Sequence, residues 1–389
     1  MLSKAVIRLG NHLDWRVPMV FSFLIGVIVF GWLYWKYCDG NITGFFRIGS
    51  EFSLSPFLNP DKVLTFKGEI GYDGQQFLSI ALDPGLANES TILSLDNPAY
   101  RYRRILYPLL GYLFGGGNPL WIPWALVGIN VIALSICTGL IALILSQQRR
   151  SVYQAMWFLS IPGIWMVLSH STCDLLASTW GLGAIISAQN RRISLMVICL
   201  TAGLLTRETL FILWLALLLV HLKEKRIRVI AALGVSTLPI LTWLGYIHYR
   251  NLPGNPGIGN LDFPFAGIAE KFQVLITSGI TGINLYEILL WCSLWFSFGW
   301  LLWLTRQPSA FPNSSDQILW NTLHYTGLAY LGLFLVSAYI IHCYYINYSR
   351  IFLDVFIYGG LIIKLPRFWN LGLLSCYTFA SLAFIFLHS

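Results

Sequence analysis

Charge is scarce in this chain, and that scarcity decides much of what the chain can be. Asp, Glu, Lys and Arg make up 11% of its 389 residues, against roughly a quarter in a soluble globular domain. Hydrophobic residues make up 56%, and the mean hydropathy is +0.66. Folding on itself cannot hide so much apolar surface from water, which excludes an ordinary soluble domain and predicts an integral membrane protein. Strict apolar–polar alternation is also missing, so the apolar runs of about 20 residues read as helices rather than barrel strands. The expected fold class is therefore all-α and polytopic. No internal repeat is evident, which argues against an inverted-repeat transporter.

A Cys-x-x-Cys pair is absent among the seven cysteines, and nothing indicates a structural metal. Cys137, Cys199, Cys292 and Cys376 fall mid-helix and read as small packing residues. Cys38, Cys173 and Cys343 fall near predicted outer ends, where two of them could form a disulfide. The net charge of +8 does not point to nucleic acid, because the basic residues sit in short clusters between apolar runs. The first run, Val17 to Tyr37, follows Lys4, Arg8 and Arg16 without a small-residue cleavage site, and reads as a span rather than a cleaved signal.

Spans are expected near 17–37, 118–146, 153–170, 174–189, 193–205, 207–222, 227–249, 285–305, 318–342, 350–363 and 368–387, about eleven in a single domain over 1–389. With the N-terminus inside, the inner segments hold Lys4, Arg8, Arg16, Arg149, Arg150, Arg191, Arg192, Lys223, Lys225, Arg226, Arg228, Arg306, Lys364 and Arg367. Only Asp14, Glu224 and Asp316 oppose them there. This bias orients the chain. Two irregular segments then fall on the outer side. The loop 38–117 contains a short apolar piece, Ile105 to Phe114, that dips in or lies flat. The loop 250–284 carries Phe265, Ile268, Phe272, Leu275 and Ile276 at the spacing of an interfacial helix. An active surface facing the periplasm or its equivalent follows, in a bacterial inner or plasma membrane.

Within the first outer loop, Gly71-Tyr-Asp-Gly-Gln-Gln-Phe-Leu78 puts Asp73 at the start of a short helix that ends before Pro84. Gln75, Gln76 and Ser79 fall opposite Phe77, Leu78, Ala81 and Leu82, as on a surface helix. An ionised Asp can accept a proton from an attacking hydroxyl; the other reading of Asp73 is an N-cap. Tyr100-Arg101-Tyr102-Arg103-Arg104 sets three arginines against the inside-positive trend. Guanidinium forks bind phosphate, although anchoring to lipid headgroups would use the same residues.

Asp174 opens a span, Arg207 and Glu208 sit where two short spans meet, and Arg350 begins the tenth span. Charges at such depths are costly and usually functional. The plainer alternative is internal pairing, of Asp174 with Arg207 or of Arg350 with Asp354. His170, Asp174 and Glu208 could also hold a divalent cation.

Tyr72-Asp73-Gly74-Gln75-Gln76-Phe77, followed by the Tyr/Arg run to Tyr107-Pro108, resembles the first-loop pattern of polytopic GT-C glycosyltransferases. The resemblance is closest to bacterial relatives of the GPI-anchor second mannosyltransferase. Asp174-Leu-Leu-Ala, Leu205-Thr-Arg207-Glu-Thr and Arg350-Ile-Phe-Leu-Asp-Val-Phe are similar to later segments of that group, so the likeness spans 71–356. It implies a GT-C fold, a polyprenyl-phosphate sugar donor and inverting transfer; the expected acceptor is a saccharide or lipid, and no cofactor is indicated. It makes Asp73 the catalytic carboxylate. Arg104, Arg207 and Arg350, then Arg101 and Arg103, grip the donor phosphate, while Tyr72, Gln76, Asp174 and Glu208 line the substrate. The chain departs from the family in lacking an Asp-x-Asp and a His-Pro-type pair. A transporter or flippase of a lipid-linked saccharide would use the same arginines without a base, and a non-catalytic partner in envelope-polymer assembly would need neither.

Overall fold

The computed structural model describes residues 14–255, 257–279, 281–305, 314–362 and 367–387. Lys4, Arg8, Arg306, Lys364, His388 and most of the loop 306–317 lie outside the described residues. The fold is all-α. Among the described residues, the only strands are Ile48–Gly49 and Thr65–Phe66, paired in parallel with Ile48 opposite Thr65.

Helix occurs at each of the expected span positions. Among the described residues, three helices are long and apolar enough to cross a membrane: Arg16–Lys36, Ile122–Gln147 and Ile227–Tyr249. A fourth candidate is a bent pair, Val152–Ser160 with Pro162–His170, which turns through 64°. The bend falls at Ile161-Pro162, where proline has no N–H to continue the ladder. Other expected spans are interrupted. The 207–222 span begins as helix only at Phe211, after an extended Arg207 and a 3-10 turn at Glu208–Leu210. The 318–342 span ends at Val336, before a separate turn Tyr339–His342. The 350–363 span is split at Phe352, between Tyr345–Ile351 and Leu353–Ile362.

Ile122–Gln147 runs through the middle of the bundle and buries most of its side chains, including Leu126, Leu134, Ile141 and Leu145. Arg16–Lys36 and Ile227–Tyr249 are peripheral and leave apolar faces bare, with Ile28 70% and Leu238 57% exposed. Bare faces of that kind are stable against hydrocarbon rather than water.

The first loop is a packed structure. Its strand pair places Gly49 so close to the chain at Glu69–Gly71 that an added Cβ would lie 2.2 Å from the Glu69 carbonyl oxygen. Arg47 holds Glu69 through two hydrogen bonds of 2.7 and 2.8 Å. Gly71 takes a left-handed turn at φ +82°, which favours glycine. Tyr72 is then extended, and the helix runs Asp73–Leu82.

This helix corrects the surface-helix expectation, because every residue from Gly74 to Leu82 is buried. Gln75 and Gln76 point into protein and accept backbone N–H groups from Gly49 at 3.0 Å and Asp96 at 3.1 Å. Polar side chains at those positions satisfy buried backbone donors instead of meeting water. Asp83 ends the helix and turns the chain by accepting from Ala87 and Asn88 N–H.

The second loop carries the helix Ala266–Thr277. Ile268 is buried, whereas Phe272 and Ile276 are exposed, so only part of the expected apolar stripe is covered by protein. Phe265 lies just outside the helix, at its N-cap. Cys38, Cys173 and Cys343 are free thiols, with Cys38 and Cys173 buried.

Candidate functional site

Asp73 is the first residue of its helix and Tyr72 holds the N-cap position, with no side-chain capping bond there, which corrects the N-cap reading. The carboxylate goes to two guanidiniums instead. Arg101 Nη1 donates to Oδ1 at 2.5 Å, and Arg350 Nη2 lies 2.6 Å from Oδ2. Arg101 comes from a one-turn helix, Pro98–Arg101, which starts at Asn97 with proline at its first position. The rest of its fork holds Asp96, through Nε and Nη2 at 2.8 and 2.6 Å. Gln76 thus acts on the site through Asp96, whose N–H it receives.

Arg350 is shared. Its Nη1 donates to Asp174 Oδ2 at 3.2 Å while Nη2 holds Asp73. Asp174 also pairs through Oδ1 with Arg207. The expected Asp174–Arg207 pairing is therefore present, and Arg350 chooses Asp73 and Asp174 over Asp354. Asp354 instead accepts from Ser178 and Tyr330 hydroxyls at 2.5 and 2.6 Å. Tyr72 packs beneath Arg350, with the guanidinium carbon 5.0 Å from its ring centre. Its hydroxyl donates to Asn347 at 2.5 Å, and its ring meets His170 edge to face.

The turn before Asp174 is held by residues that composition alone did not single out. Ser171 ends the preceding helix in the left-handed region. Thr172 Oγ1 donates to Asp174 Oδ2 at 2.6 Å. Asn130, in the central helix, donates to the Thr172 carbonyl and to the Tyr107 hydroxyl, and Tyr107 in turn meets Ser171. This buried set fixes the direction in which the carboxylate points. Its only sequence signal is a lone Asn inside an apolar run.

Arg104 forms a second pair. Its Nε and Nη2 reach both oxygens of Glu208 at 2.8 and 2.7 Å, and Nη2 also donates to Tyr100. Arg103 has no carboxylate within reach among the described residues and rests over the Tyr100 ring at 5.7 Å. The structure thus brings Asp73, Arg101, Arg207, Arg350, Asp174 and Tyr72 into one contact chain. Arg104 and Glu208 stand beside it, Gln76 lies behind it, and Arg103 lies outside it.

Exposure is graded across this set. The Asp174 side chain is 1% exposed and Asp73 14%, while Glu208 reaches 32%. Burial by itself pushes the Asp73 carboxyl up, but Arg101, Arg350 and Arg104 pull it down further, to well below the usual carboxylate range. Asp73 is therefore firmly ionised. Among the described residues, no group of three His, Cys, Asp or Glu could hold a metal ion. The set His170, Asp174 and Glu208 is not assembled, since both acids are engaged by arginines.

Comparison of the chain with protein-family models, with curated proteins and with solved structures finds no match in any of the three.

Proposed function

We propose that this chain is a multi-pass membrane glycosyltransferase of the GT-C kind. It would move a sugar from a polyprenyl-phosphate donor to a hydroxyl of a saccharide or lipid acceptor, at the outer face of a bacterial inner or plasma membrane. The observation that carries the reading is the sharing of Arg350 between Asp73, whose side chain is 14% exposed, and Asp174, in the interior. Burying several charges costs several kcal/mol per ion unless geometry offsets it, and apolar side chains of similar volume would stabilise such a bundle as well. Retaining a linked set of acids and arginines supports a functional reason.

The chemistry follows from competition for the same forks. A donor phosphate is an anion that takes guanidinium donors from carboxylates. On entry it draws Arg101 and Arg350 away from Asp73. Freed of those partners yet still buried, the Asp73 carboxylate becomes more basic and can accept the acceptor's proton late in the reaction. The acceptor oxygen attacks the anomeric carbon from the face opposite the phosphate, and a C–O bond forms with inversion. The anomeric C–O bond to phosphate breaks, and the lipid phosphate leaves with the electron pair, stabilised by Arg350, Arg207 and Arg104. Charge develops on the sugar ring as in other glycosyl transfers. Tyr72 positions Arg350 by stacking.

The test is purified protein in vesicles supplied with polyprenyl-phosphate sugars, read as release of free polyprenyl phosphate. The wild type should turn over, and Asp73→Asn should be slower by about 10²-fold or more. Transfer retained in Asp73→Asn would sink the base role. Lipid movement without any transfer by the wild type would favour a flippase.

A further inference from the structure

A cavity of about 450 Å³ lies at the other end of the helices that carry Asp174 and lead to Arg207. Those helices, Asp174–Gln189 and Ile193–Thr206, separate it from the acid–arginine site by roughly 20–25 Å at 1.5 Å per residue. Its volume is in the range of small-ligand sites.

Arg191, Lys225, Arg226 and Arg228 line it. They are presented by two copies of one turn. Arg191 and Lys225 both take left-handed φ, of 57° and 54°. Arg192 N–H donates to the Ser187 carbonyl and Arg226 N–H to the His221 carbonyl, the closing bond of a helix C-terminus of this type. Directly after these turns, the helices Ile193–Thr206 and Ile227–Tyr249 begin, neither with a side-chain cap. Two uncapped helix starts and four basic side chains favour an anion. The nearby acid, Glu224, is paired with Arg226 at 2.7 Å.

Basic ends alone would describe solvated loops. The independent observation is His221, which lines the same cavity from a third helix, Phe211–Lys223. Its side chain is 1% exposed, and neither ring nitrogen makes a hydrogen bond. Glu224 Oε2 stands 3.7 Å from Nδ1, beyond hydrogen-bond range. A buried imidazole with both nitrogens unsatisfied is costly, and an oxyanion in the cavity would relieve it.

We propose that this cavity binds a phosphoryl group. Arg226 and Arg228 hold the charge, His221 hydrogen-bonds one oxygen, and the two helix starts face the others. The shared chemistry is a tetrahedral phosphoryl anion, whether it belongs to an anionic lipid headgroup or to free phosphate.

The experiment is calorimetric titration of the full-length protein in zwitterionic detergent at constant ionic strength. The probes are inorganic phosphate and short-chain phosphatidylglycerol, with short-chain phosphatidylcholine as the control lipid. Saturable binding of phosphate or phosphatidylglycerol, weakened about tenfold by Arg226→Gln with Arg228→Gln, is the expected result. Which of the two probes binds names the source. Arg228→Gln alone, at an exposed position, guards against a double variant that fails to fold, and should weaken binding in the same direction. Binding of neither probe overturns the proposal. So does binding that the variants leave unchanged, since the anion would then sit elsewhere.

Discussion

Arg350 and Asp174 lie 176 positions apart and meet through a 3.2 Å hydrogen bond in the interior of the bundle. The same guanidinium reaches Asp73 in the first loop. One side chain therefore couples a loop carboxylate, which solvent can reach, to a carboxylate sealed between helices, and the stability and the chemistry of the site are linked through it.

Removing the inner carboxylate should be expensive. Asp174→Asn leaves Arg207 and Arg350 sharing a neutral amide in a site where Asp174 is 1% exposed. Breaking a buried pair from one side costs about 3–5 kcal/mol. Thermal unfolding in detergent should show a large drop for Asp174→Asn and a smaller one for Asp174→Leu combined with Arg207→Met. Equal drops for the two variants would contradict the pairing argument.

Acid should weaken the loop in a defined direction. The folded Asp73 carboxyl titrates below its ordinary value of about 3.9. Its pairing therefore stabilises fully above that value and is lost as pH falls below it towards the folded value. The loss is about 1 kcal/mol per pH unit in that range. The gap in unfolding temperature between wild type and Asp73→Asn should be constant from pH 7 to 5 and narrow between pH 4 and 3. A gap that stays constant down to pH 3 would show that Asp73 is not held in its depressed state.

Packing next to the carboxylate should matter as much as its charge. A Cβ on Gly74 would lie 2.3 Å from the His170 carbonyl oxygen and 3.0 Å from Phe46 Cα. Both contacts are backbone and cannot swing away. Gly74→Ala should destabilise by about 1–3 kcal/mol and displace Asp73, so that transfer falls although every charged residue is intact. Activity equal to wild type in Gly74→Ala would show that the register of this helix is unimportant.

Arg103 offers the opposite case. It rests on Tyr100 without a carboxylate partner among the described residues, so Arg103→Gln should change stability by no more than about 0.5 kcal/mol. If it meets the incoming donor phosphate, the substitution should raise the donor KM several-fold with kcat nearly unchanged. An unaltered KM would remove Arg103 from the donor site.

Much of this protein is legible in one dimension. Apolar runs must become helices wherever water is excluded, because no other local structure satisfies its own backbone, and helix is found at each expected span. The rare charges also stand out against that background, which is why Asp73, Asp174, Arg207 and Arg350 can be singled out before any geometry is known. Tertiary structure decided the rest. Gln75 and Gln76 pattern as a solvated face, yet they are interior because the first loop folds over them and supplies backbone donors. Arg350 has Asp354 only four positions further on but binds two acids brought from distant segments. Asn130, Tyr107 and Thr172 aim a carboxylate from three separate elements, and His221 shares a cavity with Arg191 of the other basic turn only where helices end side by side. Helix formation is driven by neighbours along the chain, so the amino-acid sequence determined it. Ion pairs and buried hydrogen bonds act over about 3 Å between segments far apart in sequence, so only the packed bundle selected which partners meet.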